Sequence, residues 1–123
     1  MYTFFDAHCD TASKIYDRKE GLFKNSGHID IERLKKYGSP AQIFALYLKK
    51  EYLANAFENT EKILGNFEKE LEINKNYIRK AVSAEDIKEN MKNGLCSAVM
   101  SIEGGEALEG KAENLEHFYN RGV

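Results

Sequence analysis

The stretch that decides the fold is Asp6-Ala7-His8-Cys9-Asp10-Thr11. It follows an apolar, aromatic opening over residues 2–5, whose residue types favour a β-strand. Residues two apart in a strand point to the same side, so His8 and Asp10 are predicted to project together while Cys9 faces away. Imidazole nitrogen and carboxylate oxygen both bind zinc. A His-x-Asp pair at the carboxyl end of a strand is the arrangement that a metal-dependent hydrolase on a β/α barrel needs, although the same pair also occurs as a local surface hydrogen bond.

Length and composition narrow the class of protein. The chain has 123 residues, so we expect a single domain over 1–123 with one core. The formal net charge of −2 argues against a nucleic-acid-binding protein with a basic face. There is no apolar run of about eighteen residues and no basic region followed by an apolar stretch, so we expect no membrane span, no signal peptide and a cytoplasmic location. Cys9 and Cys96 are expected to be buried thiols rather than a disulfide.

Buried strands and helices alternate along the chain. After the opening strand, the runs 41–48 and 95–102 are almost wholly apolar and predict two more strands, each buried on both faces. Helical spacing or capping residues predict helices over 12–18, 31–37, 52–77, 84–92 and 112–120. This alternation is typical of an α/β fold with a parallel sheet.

Three polar residues are predicted to cap these helices. Thr11 precedes the first helix and Asp30 the second. Ser83 precedes the fourth, and Asp86 three residues later completes a relative of the capping box.

Glu103 is the third candidate ligand. It follows the apolar run 95–102 and precedes two glycines, which permit a tight turn and close approach of a ligand. An acid at the carboxyl end of a buried parallel strand lies where α/β folds place their chemistry. If its strand lies close to that of His8, then His8, Asp10 and Glu103 converge on one metal, and a carboxylate can also bridge two. The alternative is that Glu103 caps the following turn.

The remaining acids and histidines give weaker signals. Glu106 and Glu109 are expected to cap or solubilise the loop and the start of the next helix. His28 is expected to be a capping or surface residue, and His117 to face solvent.

Five blocks, in this order, resemble the N-terminal part of the membrane (renal) dipeptidase family. They are 6–11 (Asp6-Ala7-His8-Cys9-Asp10-Thr11), 28–34, 41–45, 101–108 with Glu103, and 118–123. The resemblance implies a TIM-barrel metallohydrolase of the amidohydrolase kind, with two zinc ions that cleave dipeptides. It implies that His8 and Asp10 bind the first zinc and that Glu103, the catalytic carboxylate, bridges both. A metal-bound hydroxide would attack the peptide carbonyl, since zinc lowers the pKa of bound water toward 7.

The sequence also departs from that family. A (β/α)₈ barrel needs about 250 residues, and this chain supplies three predicted strands, or about the first three β/α units. The family completes its second zinc site with two later histidines, and neither His28 nor His117 falls in such a motif. We therefore expect an N-terminal fragment that holds at most one zinc, weakly, and has no useful peptidase activity. Unpaired sheet edges predict a homo-oligomer or strand-exchanged dimer.

Two other functions stay open at this point. The chain can instead be a non-catalytic α/β interaction module that keeps the family scaffold and associates with another chain. It can also belong to another amidohydrolase-type enzyme that acts on a cyclic amide or other non-dipeptide substrate. The block around Glu103 points away from this last alternative.

Overall fold

Four parallel strands form one sheet in the computed structural model, which describes residues 3–123. The first strand was predicted to begin within residues 2–5, and Tyr2 of that range lies outside the described residues. The strands are β1 (Phe5–Cys9), β2 (Ala41–Tyr47), β3 (Ile78–Lys80) and β4 (Cys96–Glu103), and they lie side by side in the order β1-β2-β4-β3. Every pairing is parallel. The predicted α/β class with parallel strands and flanking helices is confirmed, and the sheet has half of the eight strands of a TIM barrel.

The α-helices within residues 3–123 follow the predicted order. They are α1 (Thr11–Arg18), α2 (Ile31–Leu34), α3 (Ala56–Ile73), α4 (Ala84–Lys92) and α5 (Ala112–Asn120). Short 3-10 helices lie over Lys35–Tyr37, Lys50–Asn55 and Glu106–Leu108. The predicted helix over 52–77 is thus shorter than expected, because its first turns are 3-10 and its last residues leave the helix.

The prediction of three strands missed β3. The chain leaves α3 at Asn74, whose carbonyl accepts hydrogen bonds from the N–H groups of Tyr77 and Ile78. Ile78 is fully buried and pairs with Cys96 at the start of β4. A strand of three residues is too short to show an alternating pattern, so helical periodicity in the preceding residues masked it.

The core lies between the sheet and the helices α1 and α3. Phe44 of β2 is fully buried, and its ring centroid lies 4.8 Å from that of Phe67 on α3. Ile43 and Val99 project from the opposite face of the sheet, since their neighbours 42, 44 and 98 turn the other way. Both are half-buried and lie outside the core cluster. One sheet face is therefore packed and the other partly open.

The predicted caps differ in accuracy. Asp30 caps α2, since its side chain accepts the N–H of Arg33 at 2.8 Å. Ser83 and Asp86 form the full capping box of α4. The prediction for Thr11 is wrong, because Thr11 is already inside α1 and its hydroxyl donates to the carbonyl of Ile29 at 3.2 Å.

His117 is less exposed to solvent than predicted, since only 39% of its side chain is accessible. Its ring is packed between α5 and α3, with its centroid 5.3 Å from that of Phe57, and its Nε2 lies 3.0 Å from Glu61 Oε1. Arg121 at the end of α5 also pairs with Glu61, at 3.0 Å. These side-chain contacts tie α5 to α3, and the separation of about sixty residues in sequence did not indicate them.

The two cysteines and the polar character of the helices agree with the sequence. Cys9 and Cys96 are both free and buried, as predicted, and burial raises the pKa of each thiol to about 11. Among the helices of residues 3–123, none has both the length and the apolar character that crossing a bilayer requires.

Candidate metal centre

The carboxyl ends of β1, β2 and β4 lie at one edge of the sheet. Because all three strands run parallel, the residues that follow or end them share this edge. His8 lies near the end of β1, Tyr47 ends β2, and Glu103 ends β4 in register with Tyr47. The candidate ligands are thus held by the ends of strands.

His8 and Asp10 come together for a different reason from the one predicted. β1 ends at Cys9, and Asp10, at the N-cap position of α1, has φ −89° and ψ 8° rather than the extended angles of a strand. The register of β1 against β2 shifts between Asp6 and Cys9, which is the mark of a bulge. The side chains of His8 and Asp10 are therefore brought together by the bulge in β1 and by the start of α1 directly after it. The alternation of side chains along a regular strand is not the cause.

Backbone contacts fix these two residues. The N–H of His8 donates to Asp6 Oδ1 at 3.2 Å, and the carbonyl of Asp10 accepts the N–H of Lys14 at 3.0 Å in the first turn of α1. The hydroxyl of Ser13, also in α1, accepts the N–H of Tyr47 at 2.7 Å. The start of α1 is therefore pinned to the end of β2.

Glu103 is held by the turn that follows it. Gly104 has a φ of +86°, a backbone conformation that residues with a side chain rarely adopt. The glycine therefore allows the chain to turn directly after Glu103. The next residues form the 3-10 helix Glu106–Leu108, and Glu109 Oε1 accepts the N–H of Phe57 in the first turn of α3 at 3.1 Å. Glu109 thus caps α3 rather than the helix that follows it.

The three predicted ligands do converge. His8 Nε2 lies 3.1 Å from Asp10 Oδ1 and 3.7 Å from Glu103 Oε2, and one ligand atom from each residue lies within 4.8 Å of the other two. Two ligands of one tetrahedral zinc ion, each about 2.1 Å from it, are about 3.4 Å apart. The observed spacings fit such an ion with small side-chain adjustments.

The chemistry of the donor set also fits a divalent metal. One imidazole and two carboxylates supply nitrogen and oxygen ligands, and two negative charges balance a dication. The side chains of His8, Asp10 and Glu103 are 56%, 41% and 49% exposed, so the centre is open to solvent. Molecules in solution can therefore reach the three ligands directly.

A cleft of about 230 Å³ adjoins His8 and Asp10. Its other wall is the loop before α2, including His28, which does not approach the three ligands closely enough to join them. Lys14 also lines the cleft, with its Nζ 3.8 Å from Asp10 Oδ2. Lys14 was not among the predicted site residues, although its four-residue spacing from Asp10 at a helix start was a usable signal.

The whole chain, residues 1–123, matches the family model of membrane dipeptidase (peptidase family M19). No curated protein matches the chain.

Solved structures share the fold. The dipeptidase AC, a metallo peptidase of family M19, superposes with a TM-score of 0.79 at 19% identity, over 95% of this chain and 40% of that one. A metallo peptidase from Rhodobacter sphaeroides, liganded with a phosphinate mimic of the dipeptide L-Ala-D-Ala, gives 0.85 at 17% identity, over 99% and 44%. An amidohydrolase from Pseudomonas aeruginosa gives 0.62 at 14% identity, over 98% and 30%. The chain spans less than half the length of each of these structures.

Proposed function

This chain belongs to the membrane dipeptidase family, peptidase family M19, and we propose that it forms the N-terminal part of a zinc-dependent dipeptidase. The observation that carries the proposal is the convergence of His8, Asp10 and Glu103 from two different strand ends onto one point. A family match to the whole chain and an independent geometric cluster of ligands support the same chemistry. Dipeptides are the proposed substrates, and zinc is the proposed metal.

Each ligand has a role that its position supports. His8 and Asp10 would hold the first ion from the end of β1, where the hydrogen bonds of α1 and Asp6 fix their backbone. Glu103 has two oxygens at the open edge, so its carboxylate can reach a second ion and can accept a proton during hydrolysis. When bound, zinc would supply Lewis acidity and lower the pKa of a coordinated water.

The isolated chain should hold this metal weakly and hydrolyse little. The three ligands are about half exposed, and structural zinc sites normally have four ligands. Four strands cannot close a barrel of eight, so any residues contributed by further strands are missing from the site. We therefore propose at most one weakly occupied site and no useful peptidase activity for residues 1–123 alone.

Zinc content tests the metal centre. Purified wild-type chain, His8→Ala and the control His28→Ala would be dialysed against a small excess of zinc and analysed for zinc per chain. His28 is the matched control because it lines the same cleft without belonging to the ligand cluster. We expect partial occupancy, below one ion per chain and equal for wild type and His28→Ala, and a clear loss of zinc for His8→Ala. Equal zinc in all three would contradict the ligand assignment.

A dipeptide assay tests the second half of the proposal. Wild-type chain with zinc would be incubated with dipeptides such as L-Ala-D-Ala, and release of free amino acid would be followed. Fast hydrolysis that His8→Ala abolishes would confirm the chemistry and refute the expected inactivity of the isolated chain.

A non-catalytic interaction module is the second candidate function. It is favoured by the half-open sheet face and by β1, the edge strand of the described sheet, on which Phe5 is 58% exposed. We propose that copies of the chain associate through such edges. Light scattering on a size-exclusion column should show a dimer or larger species, and a monomer at all concentrations would contradict this. Association without any zinc would favour the module over the enzyme.

A further inference from the structure

Lys14 is the cation that faces the candidate metal centre. Its Nζ lies 3.8 Å from Asp10 Oδ2, while the other oxygen of the same carboxylate, Oδ1, lies 3.1 Å from His8 Nε2. Asp10 therefore turns one oxygen toward the proposed metal position and the other toward Lys14. The two positive partners, a metal and an ammonium group, would share a single carboxylate.

The fold keeps Lys14 in this place. The backbone N–H of Lys14 donates to the carbonyl of Asp10 at 3.0 Å, in the first turn of α1. This bond fixes the two backbones one helical turn apart, a spacing that keeps the Asp10 carboxylate within reach of the lysine side chain.

The other charged side chains of the cleft are engaged elsewhere. Arg18 donates to Ser26 Oγ at 3.0 Å, and Glu20 accepts the backbone N–H of Ser26 at 3.1 Å. Asp6 accepts the N–H of His8. Among these groups, Lys14 alone forms an ion pair with one of the three proposed ligands.

We infer that Lys14 competes with the metal for Asp10 and sets the affinity of the centre. The inference rests on the proposed zinc site. Between a dication and an ammonium group about 6 Å apart, repulsion in water-like surroundings would weaken binding about tenfold. Lys14 also partly neutralises the charge of the Asp10 carboxylate, which would otherwise attract the metal. Both effects act in the same direction and keep the metal exchangeable.

The competition has a distinctive dependence on salt. All groups concerned are about half exposed, so dissolved ions screen the repulsion between Lys14 and the metal. A purely structural role of Lys14 in α1 would not change with ionic strength in this way.

Calorimetric titration of the metal-free chain with zinc tests this role. The variants are Lys14→Met, which removes the charge and keeps most of the stem, and Lys14→Arg, which keeps the charge. The control is Lys62→Met, which removes an exposed lysine from a comparable ion pair with Glu58 on α3. Each would be titrated at about 10 mM and about 0.5 M salt, where the Debye length falls from about 30 Å to a few ångströms.

We expect Lys14→Met to bind zinc about tenfold more tightly than wild type at low salt, and the difference to shrink at high salt. Lys14→Arg and Lys62→Met should match wild type. Zinc binding by Lys14→Met alone would also support the inference. Unchanged or weaker binding by Lys14→Met, with zinc bound by wild type, would overturn the role of Lys14 and leave the metal centre standing. Zinc on none of the four proteins would overturn both.

Discussion

Asp30 anchors the loop that forms one wall of the cleft, and replacing it tests how that loop is held. The carboxylate is 2% exposed. It accepts the backbone N–H of Arg33 at 2.8 Å and that of Asn25 at 3.3 Å, and it pairs with the Arg33 guanidinium. Arg33 in turn donates to the carbonyl of Gly27 at 2.6 Å. One buried acid thus holds both ends of the loop.

The cost of Asp30→Ala follows from these contacts. Losing an N-cap acceptor costs about 1 kcal/mol. Losing a charge-assisted hydrogen bond costs a further 1.5–3 kcal/mol, roughly, and we expect about 3 kcal/mol in total. Asp30→Asn keeps an oxygen for the Arg33 N–H, but it places an NH2 donor where Oδ2 accepts from Asn25 and from the Arg33 guanidinium. It should therefore retain only the cap, about 1 kcal/mol, and cost about 2 kcal/mol. Glu32→Ala, which breaks an exposed pair with Lys24, should cost less than about 1 kcal/mol.

The same carboxylate predicts a dependence on pH. Burial by itself raises the pKa of Asp30, but hydrogen bonds from Arg33 and Asn25 outweigh it, and the pKa lies below its ordinary value. In the unfolded chain the pKa is about 3.9. A depressed pKa in the folded state means that the stabilisation is complete above the unfolded value and is lost as pH falls through the folded value. The difference in stability between wild type and Asp30→Asn should therefore be constant from pH 7 to about pH 5 and narrow below about pH 4.

Urea unfolding at several pH values, followed by circular dichroism, measures both effects. At pH 7 we expect the order of stability to be wild type and Glu32→Ala, then Asp30→Asn, then Asp30→Ala. Equal stability of wild type and Asp30→Ala, or a difference that grows as the pH is lowered, would show that the carboxylate does not hold the loop in this way.

Three further predictions concern the core, a cap and a thiol. Phe44→Ala should cost about 3–5 kcal/mol in urea unfolding, because the ring is fully buried against Phe67; a cost below about 1 kcal/mol would contradict the packing. Ser83→Ala should cost about 1 kcal/mol through loss of the capping box with Asp86, and an unchanged melting temperature would argue against that box. Cys9 should be alkylated about a hundredfold more slowly in the native chain than in urea at pH 8, since burial raises its pKa to about 11; equal rates by mass spectrometry would refute its burial.

The strands β2 and β4 were predictable from the sequence because each is an almost continuous apolar run, as is typical of parallel strands. The expectation that both faces are buried was too strong, because Ile43 and Val99 are only half-buried on the second face. The predicted run 41–48 exceeds Ala41–Tyr47 by one residue at its end, and the predicted run 95–102 is shifted by one residue from Cys96–Glu103. The strand Ile78–Lys80 has no such run, since it is three residues long and only Ile78 is fully buried. Its existence depends on pairing with β4, which is information about distant residues rather than local ones.

The candidate site shows the same limit. His8, Asp10 and Glu103 were chosen for their residue types and their places after apolar runs, and the structure brings them together. The local reason was wrong for Asp10, because alternation along a strand cannot indicate a bulge or a helix start. The exposure of His117 was overestimated for a related reason, since its partner Glu61 lies on another helix.

The separation of the strands explains why these side chains suit the site. β2 lies between β1 and β4, so the backbones of β1 and β4 are about 9–10 Å apart. His8 Nε2 and Glu103 Oε2 nevertheless lie 3.7 Å from each other, which requires two long side chains that reach over β2 from opposite sides. The shorter Asp10 side chain reaches His8 because Asp10 lies just beyond β1, at the start of α1, on the same side as His8. The centre therefore depends on the position of β2, whose last residue, Tyr47, is held by Ser13 of α1 and pairs with Glu103. Metal binding at this centre therefore requires that β1, β2, β4 and the start of α1 are correctly aligned.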